Sequence, residues 1–434
     1  MSTNTPNPIS ITGAAVDSRL VKPGDLFFAL PGNQTDGHQF LQAAALNGAS
    51  AAVVHLDYRG QDFGLPLLHV SDVLAALQLL AKTIIKSSKA KIVAVTGSVG
   101  KTTTKGFITS LLQHKFKVTS SPGNSNSQIG LPLAILNHVT LDEEIIVLEM
   151  GMTEKGQITK LIDIAPPHIA VVTMVALVHA AYFDSIADIA CAKGEIMTHP
   201  RTELGIYHRE SDINRALSTS GSCEKKSFST TSTDSDYYLY SDGKKIKIDG
   251  FGKSPVVLPL LDVPGAHNYH NFLAAVAVAK HLGMSQEEIS QAQKKLELPE
   301  RRLQFVNKHG AIFINDAYNA CELSVKAALD TLPVPLHGGK KIAVLGGIVE
   351  LGKFSVDSHR AIGEYALDCV DDMYCFGDDC KPILDSWKKA NRPVIWTQER
   401  SEIIAALREK LQPNDVILLK GSRAKGVWKV LEEI

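Results

Sequence analysis

Residues 92–104 read IVAVTGSVGKTTT: an apolar run, a glycine-rich turn, then a lysine followed by three threonines. That succession leaves few folds open. A buried strand that runs through Gly97-Ser98-Val99-Gly100 into a helix turns backbone N–H groups and a helix N-terminus toward one point, an arrangement suited to phosphate. Lys101 can reach the β- and γ-phosphates of a nucleotide, the hydroxyl of Thr102 can coordinate Mg2+, and Thr103 lies beside it in the first helical turn. The general phosphate-loop pattern would put its first glycine at position 95, where this chain has Val95. A chance glycine-rich turn is the alternative; the preceding strand and the GKTTT run weigh against it. Nucleotide binding alone names no reaction.

The loop sits in a chain of alternating strand and helix signals, which implies parallel sheets covered on both faces. At about 100–200 residues per domain, 434 residues allow two to four domains, and three segments emerge. Residues 1–88 hold short strands (25–30, 51–56) and a helix over 73–85. Residues 89–305 open with the phosphate loop and continue through buried strands at 145–150 and 169–175. Residues 218–236, rich in Ser, Thr and Asp, read as a surface loop, and Asp242-Gly243 as the turn of a hairpin. Residues 306–434 repeat strand and helix, with strands at 311–315, 341–346, 373–377, 393–397 and 415–421, a second open α/β domain of Rossmann-like type. The expected fold class is α/β, in three domains.

Bulk properties exclude other classes. The net charge of −1 gives no basic field for nucleic acid or an anionic membrane. The N-terminus lacks the pattern of a signal peptide, and no apolar run approaches the roughly 20 residues that span a bilayer. Six cysteines include no CxxC pair; Cys369, Cys375 and Cys380 could be read as a metal site, but with no histidine at ligand spacing buried free thiols are expected. These features suit the cytoplasm. No coiled-coil heptads are visible, and a monomer is expected.

One residue breaks its own pattern. In SIADIACAKGEIM, 185–197, Ile186, Ile189, Ala190, Ile196 and Met197 share a helical face, and Lys193 lies on it too. A buried, unpaired ammonium is costly, so Lys193 is paired, snorkelling, deprotonated or modified. Glu149, which ends the strand IIVLE, and His179, which follows IAVVTMV, stand outside the carboxyl ends of strands, where ligands of open α/β sheets collect. A carboxylate and an imidazole there could hold metal ions beside phosphates. Equally, Glu149 could be a solvated or capping group and His179 an ordinary loop histidine.

Taken together these residues resemble the Mur ligase family along essentially the whole chain. TGSVGKTTT is similar to the family's shortened phosphate loop, which also lacks the first glycine. The resemblance implies that Glu149 and His179 bind metal, together with Thr102, and that Lys193 is carried as a carbamate, an anionic ligand in place of a cation. Lys101, Glu149, His179 and Lys193 are then the catalytic set. Asp17-Ser18-Arg19 and Asp36-Gly37-His38 resemble a uridine-nucleotide site, and GNSNSQIG, with Asn124 and Asn126, a muramoyl-side loop. Asn268 and Asn271 in AHNYHN match the adenine-side helix, Arg302 in ERRLQ the domain-joining arginine, and Asp316 a residue closing on the nucleotide; an interdomain arginine such as Arg302 could also be a plain ion-pair partner. Tyr318-Asn319-Ala320 and Lys420-Gly421-Ser422-Arg423 resemble the branch that adds D-alanyl-D-alanine to UDP-N-acetylmuramoyl-tripeptide, with Tyr318, Asn319, Lys420, Ser422 and Arg423 as substrate contacts. The implied cofactors are ATP and Mg2+, and the implied chemistry is ATP-driven peptide-bond formation through an acyl phosphate. The rival readings are a sister ligase that adds an amino acid, a folylpolyglutamate-type enzyme and a non-catalytic nucleotide-binding homologue; a GTPase is disfavoured because no Asn-Lys-x-Asp motif appears. Five departures from the family pattern stand out: Met174 for Asn, Glu154 for His, Cys321-Glu322 for Asn-Pro, Arg301 for Gly and Gly347 for an acid.

Overall fold

The computed structural model describes residues 9–32, 35–178, 180–209 and 213–434. His179 lies outside them. The chain condenses into two compact units. The first comprises residues 1–94, 116–152 and 157–168, and the second 95–115, 153–156 and 169–434.

The first unit holds a four-stranded, all-parallel sheet whose spatial order follows the chain: Gly13–Ala15, Asp25–Phe28, Ala51–His55, Leu67–Val70. Side chains alternate across a strand, so Leu26 and Phe28 enter one core with Val53, Val73 and Leu77, while Phe27 enters the other with Leu41, Ala52 and Val54. Helix Val73–Ser87 buries Val73, Leu77, Ala81 and Ile85, spaced four apart, the first two of them in that first core, and Asp72 caps it by accepting from the Ala75 N–H at 2.9 Å. Helix Gly130–His138 joins the same face through Leu133 and Leu136. Strands Val118–Ser120 and Ile145–Glu149 pair in parallel, with Glu149 at the carboxyl end.

In the second unit, Ile169–Val172, Leu204–His208 and Glu224–Ser229 form a parallel ladder, continued by Tyr237–Ser241 and the antiparallel strands Lys245–Asp249 and Val256–Pro259. The hairpin around Asp242-Gly243 is as expected. The surface loop expected over 218–236 is corrected: strand Glu224–Ser229 runs through it. Only Phe228 and Ser229 pair on its second side, so its first residues lie along a strand edge and are polar. A six-stranded sheet follows, in the order Gln304–Lys308, Ala311–Asn315, Val416–Lys420, Lys341–Gly346, Asp372–Phe376, Val394–Thr397, parallel except for its first, antiparallel edge strand. The chain's last strand thus lies between Ala311–Asn315 and Lys341–Gly346, and this juxtaposition shapes the site. All six cysteines are free thiols; Cys321, Cys375 and Cys380 are buried, whereas Cys369 and Cys223 are half-buried and Cys191 is exposed. No helix among the described residues is long and apolar enough to cross a membrane.

Candidate functional site

The glycine-rich loop lies in the second unit between strand Lys91–Thr96 and helix Lys101–Leu112. Two glycines are required by its path. Gly97 and Gly100 have φ of +147° and +88°, which L side chains rarely adopt, and a Cβ on them would run into the Thr173 hydroxyl and the Asn271 side chain. The loop is pinned from outside. Ser98 and Val99 donate their N–H groups to the Met174 carbonyl at 2.8 and 3.2 Å, the Ser98 hydroxyl donates to the Ala176 carbonyl at 2.9 Å, and the Thr173 hydroxyl contacts the Val99 carbonyl at 2.6 Å. Position 174, a departure from the family pattern, fixes the loop through its main chain. The Lys101 ammonium donates to the carbonyls of Gly97, at 2.8 Å, and Ser98, at 3.3 Å.

Helix Asn268–His281 packs against the helix that follows the loop. Its residues 271–279 are all buried, so it is a core helix rather than an amphipathic one. At its N-terminal end, Asn271 Oδ1 accepts from the Thr104 hydroxyl at 3.1 Å, its Nδ2 donates to Asn268 Oδ1 at 2.9 Å, and Asn268 Nδ2 donates to the Pro264 carbonyl at 2.7 Å. These asparagines wire the loop to the helix.

The carboxyl ends of the six-stranded sheet supply the remaining groups. Asn315 pairs with Leu419 in register, which sets Asp316 beside Lys420. The buried Lys420 ammonium donates to the Asp316 carboxylate, and to the carbonyls of Asp316 and Asn319, each at 3.2 Å. Asp316 also accepts from the Leu303 N–H at 3.1 Å. A buried ion pair of this kind requires its further hydrogen bonds to offset desolvation.

These elements enclose one cavity of about 510 Å³ within the second unit. Val99, Gly100 and Thr103 of the loop line it together with Asn268, Asn271, Arg302, Asp316 and Lys420. Seven of the eleven expected nucleotide contacts therefore line one cavity, and Lys420, expected among the substrate contacts, joins them; Gly97, Ser98, Lys101 and Thr102 are not among the lining residues. The far wall was not foreseen: it includes Phe228, Thr230, Thr231, His267 and His270. His270 Nε2 lies 2.8 Å from the Thr230 hydroxyl and its Nδ1 lies 3.0 Å from Nε2 of His208. Burial, then the neighbouring histidine, lowers His208 to a pKa of about 3 and His270 to about 4; burial also lowers His267. All three are neutral near pH 7. Two of them sit in the AHNYHN segment already singled out, whereas Thr230 falls in the stretch read as loop.

Lys193 behaves as its helical face requires. It is 2% exposed on helix Ile186–Gly194, and its ammonium makes no side-chain hydrogen bond or ion pair among the described residues. Burial, then the positive charge of Lys101, drives its pKa well below the usual lysine value. Glu149, in the first unit, is buried and accepts from Asn126 Nδ2 at 2.6 Å. Among the described residues no group of three or more His, Cys, Asp or Glu side chains is arranged so that it could hold a metal ion.

The other expected contacts lie as follows. In the first unit, Asp17 accepts from the Arg19 N–H and guanidinium, and this pairing holds its carboxyl at a pKa of about 2; Ser18 is buried. Gly37 is needed for close approach, since a Cβ would press on the Leu30 backbone. His38 Nδ1 lies 2.6 Å from Asp36, and its Nε2 accepts from the His55 N–H at 3.0 Å. Asn124 is exposed. In the second unit, Ser422 is buried with its hydroxyl accepting from the Val349 N–H at 3.0 Å, and Arg423 is exposed. At Gly347, Asp379 fills the space into which a side chain would project.

Three family models tile the chain: the Mur ligase family, catalytic domain over residues 10–85, the Mur ligase middle domain over 95–279, and the Mur ligase, glutamate ligase domain over 301–423. The chain belongs to the Mur ligase family. Among curated Mur ligases, the UDP-N-acetylmuramoyl-tripeptide--D-alanyl-D-alanine ligase of Bacillus subtilis is 33% identical over 436 residues, covering 98% of this chain and 93% of its own length. The enzyme of that name from Escherichia coli is 30% identical, covering 98% and 94%. Among solved structures, MurF from Acinetobacter baumannii aligns with a TM-score of 0.83 at 27% identity over 98% of this chain and 93% of its own. MurF from Thermotoga maritima, in complex with ADP, aligns with a TM-score of 0.81 at 28% identity over 97% and 96%. The Mur ligase architecture of three α/β domains is that of this chain.

Proposed function

We propose that the chain joins D-alanyl-D-alanine to UDP-N-acetylmuramoyl-tripeptide at the expense of ATP, in the synthesis of peptidoglycan precursor. The observation that carries this is the cavity in which the glycine loop, Asn268, Asn271, Arg302, Asp316 and Lys420 meet, within a chain that matches ligases of that name over nearly its full length. ATP enters with its phosphates on residues 97–103. The terminal carboxylate of the tripeptide attacks the γ-phosphorus, a P–O bond forms, and ADP leaves. The amine of the dipeptide attacks the resulting acyl phosphate, and the tetrahedral adduct collapses to an amide and inorganic phosphate as the amine's proton is lost. Both partners in the first step are anions, so charge neutralisation dominates; Lys101 supplies part of it.

Mg2+ supplies the rest when bound. It selects oxygen and needs only one or two carboxylates beside phosphate oxygens; the Thr102 hydroxyl and Glu149 carboxylate are donors of that type and would hold it, with His179 and carbamylated Lys193. The proposed division is residues 1–88 for the uridine nucleotide, through Asp17, Ser18, Arg19, Asp36, Gly37 and His38, with Asn124 and Asn126 of the next domain facing the muramoyl group, 89–305 for ATP, and 306–434 for the dipeptide, through Tyr318, Asn319, Ser422 and Arg423. The proposed location is the cytoplasm, and the proposed state a monomer.

Phosphate release from Mg·ATP tests the reading. It should require both UDP-N-acetylmuramoyl-tripeptide and D-alanyl-D-alanine. Release with the dipeptide precursor plus a free diamino acid instead would assign the chain to the sister reaction, and silence with every such substrate would leave a nucleotide-binding homologue.

A further inference from the structure

The backbone on both sides of Arg302 is strained. Arg301 and Leu303 stand at φ of +58° and +45°, a region that L side chains avoid. The Arg302 side chain lines the cavity, and its Nε is buried without a hydrogen-bond partner. A ring holds the guanidinium: its Cζ lies 4.5 Å from the centre of Tyr318. A second guanidinium, that of Arg423, stands over the same ring at 5.5 Å. The main chain closes the arrangement, with the Tyr318 N–H donating to the Arg301 carbonyl at 3.3 Å.

Neither Arg302 nor Arg423 makes an ion pair with a carboxylate among the described residues, whereas the neighbouring Arg301 contacts both Glu300 and Glu432. A ring face attracts each cation, but two guanidiniums near one ring repel one another, and the carboxylate hydrogen-bonded to the adjacent Leu303, that of Asp316, is already paired with Lys420. Guanidinium is a planar donor suited to phosphate and carboxylate. The two arginines are thus held ready for anions that arrive from outside.

We propose that Tyr318 is a positioning residue that holds Arg302 and Arg423 as paired anion receptors, Arg302 for the nucleotide phosphates in the cavity and Arg423 for the carboxylate of the amine-bearing substrate. Both ligands then depend on one ring. The choice of the second ligand rests on the ligase reading above; the first rests on the cavity alone. This role differs from direct substrate contact by Tyr318, because the ring and not the hydroxyl carries it.

The test uses the full chain and two variants, Tyr318→Leu and Tyr318→Phe. Calorimetric titration with ADP in the absence of metal reads the Arg302 side. The KM for D-alanyl-D-alanine in the phosphate-release assay reads the Arg423 side, with the KM for UDP-N-acetylmuramoyl-tripeptide as reference. Tyr318→Leu should weaken ADP by roughly tenfold, the scale of a desolvated cation–π contact, and raise the dipeptide KM by a similar factor while sparing that of the tripeptide. Tyr318→Phe should rescue both. Unchanged ADP affinity in the Leu variant overturns the proposal, as does a Phe variant that loses as much as Leu, or a dipeptide KM that does not move. Should Tyr318→Leu fail to fold, Arg423→Lys keeps the charge but not the planar stack; it should raise the dipeptide KM and leave ADP binding intact, and an unmoved KM overturns the proposal. A wild type silent in the ligase assay would sink the ligase reading, while the ADP titrations still decide whether the ring positions Arg302.

Discussion

Lys193 concentrates the chemistry of a single residue. An ammonium buried without a partner loses its proton, and burial together with the charge of Lys101 drives Lys193 that way. A neutral amine is the form that adds CO2, giving a carbamate and releasing one proton. The product is an anion near Lys101, so the modification turns a buried neutral amine beside a cation into an attractive ion pair. We expect Lys193→Ala to lose nearly all turnover in the phosphate-release assay and to regain part of it with millimolar acetate or formate, which can enter the vacated space as a carboxylate. Full activity of the alanine variant without any additive would remove Lys193 from the mechanism. The anomaly itself was legible in the sequence, since helical periodicity placed Lys193 among Ile189, Ala190 and Ile196. The partnership of Asp316 with Lys420 was not, because it depends on the last strand of the chain inserting beside Ala311–Asn315, and no local pattern encodes a strand's neighbour.

At the scale of elements, the loop, the helix that follows it and helix Asn268–His281 act as a unit whose tightest point is Gly100. An alanine there meets a positive φ and the Asn271 side chain together, and Asn271 is already committed to Thr104 and Asn268. Gly100→Ala should cost about 1–3 kcal/mol of stability, as expected for a non-glycine residue held in a sparsely populated region, and should weaken ADP binding because the asparagine pair must shift. Urea unfolding and ADP titration check the two effects separately; a variant with an unchanged midpoint would mean that the loop relaxes freely. Strands of apolar residues such as Ile145–Glu149 and Lys341–Gly346 were legible from composition alone. Glu224–Ser229 and Gln304–Lys308 were not: each has a sheet neighbour on one side for much or all of its length, so polar residues such as Glu224, Lys225, Gln304 and Asn307 satisfy it and mask the pattern. The missed strand Glu224–Ser229 leads directly into Thr230 and Thr231, which explains why the far wall of the cavity went unseen.

At the scale of the whole molecule, every residue lining the cavity belongs to the second compact unit. A ligand that binds the folded state stabilises what it touches by mass action, by about 2.7 kcal/mol at a concentration 100 times its Kd. The two units therefore offer an internal comparison. With metal-free ADP at that excess, amide exchange should slow in residues 97–104, in helix Asn268–His281 and around 302–303, 316 and 420. The amides of Asp25–Phe28 and Ala51–His55, in the four-stranded sheet of the first unit, should exchange at their unliganded rates, since they open without exposing the cavity. Equal slowing in both units would show that the chain opens as a single cooperative body, and would remove the basis for treating the nucleotide cavity as the property of one unit. Slowing confined to the first unit would place the nucleotide outside the cavity altogether. The selective outcome would instead locate the nucleotide's binding energy in the loop, the asparagine pair and the strand ends of the six-stranded sheet, leaving the first unit free to respond to the uridine-linked substrate.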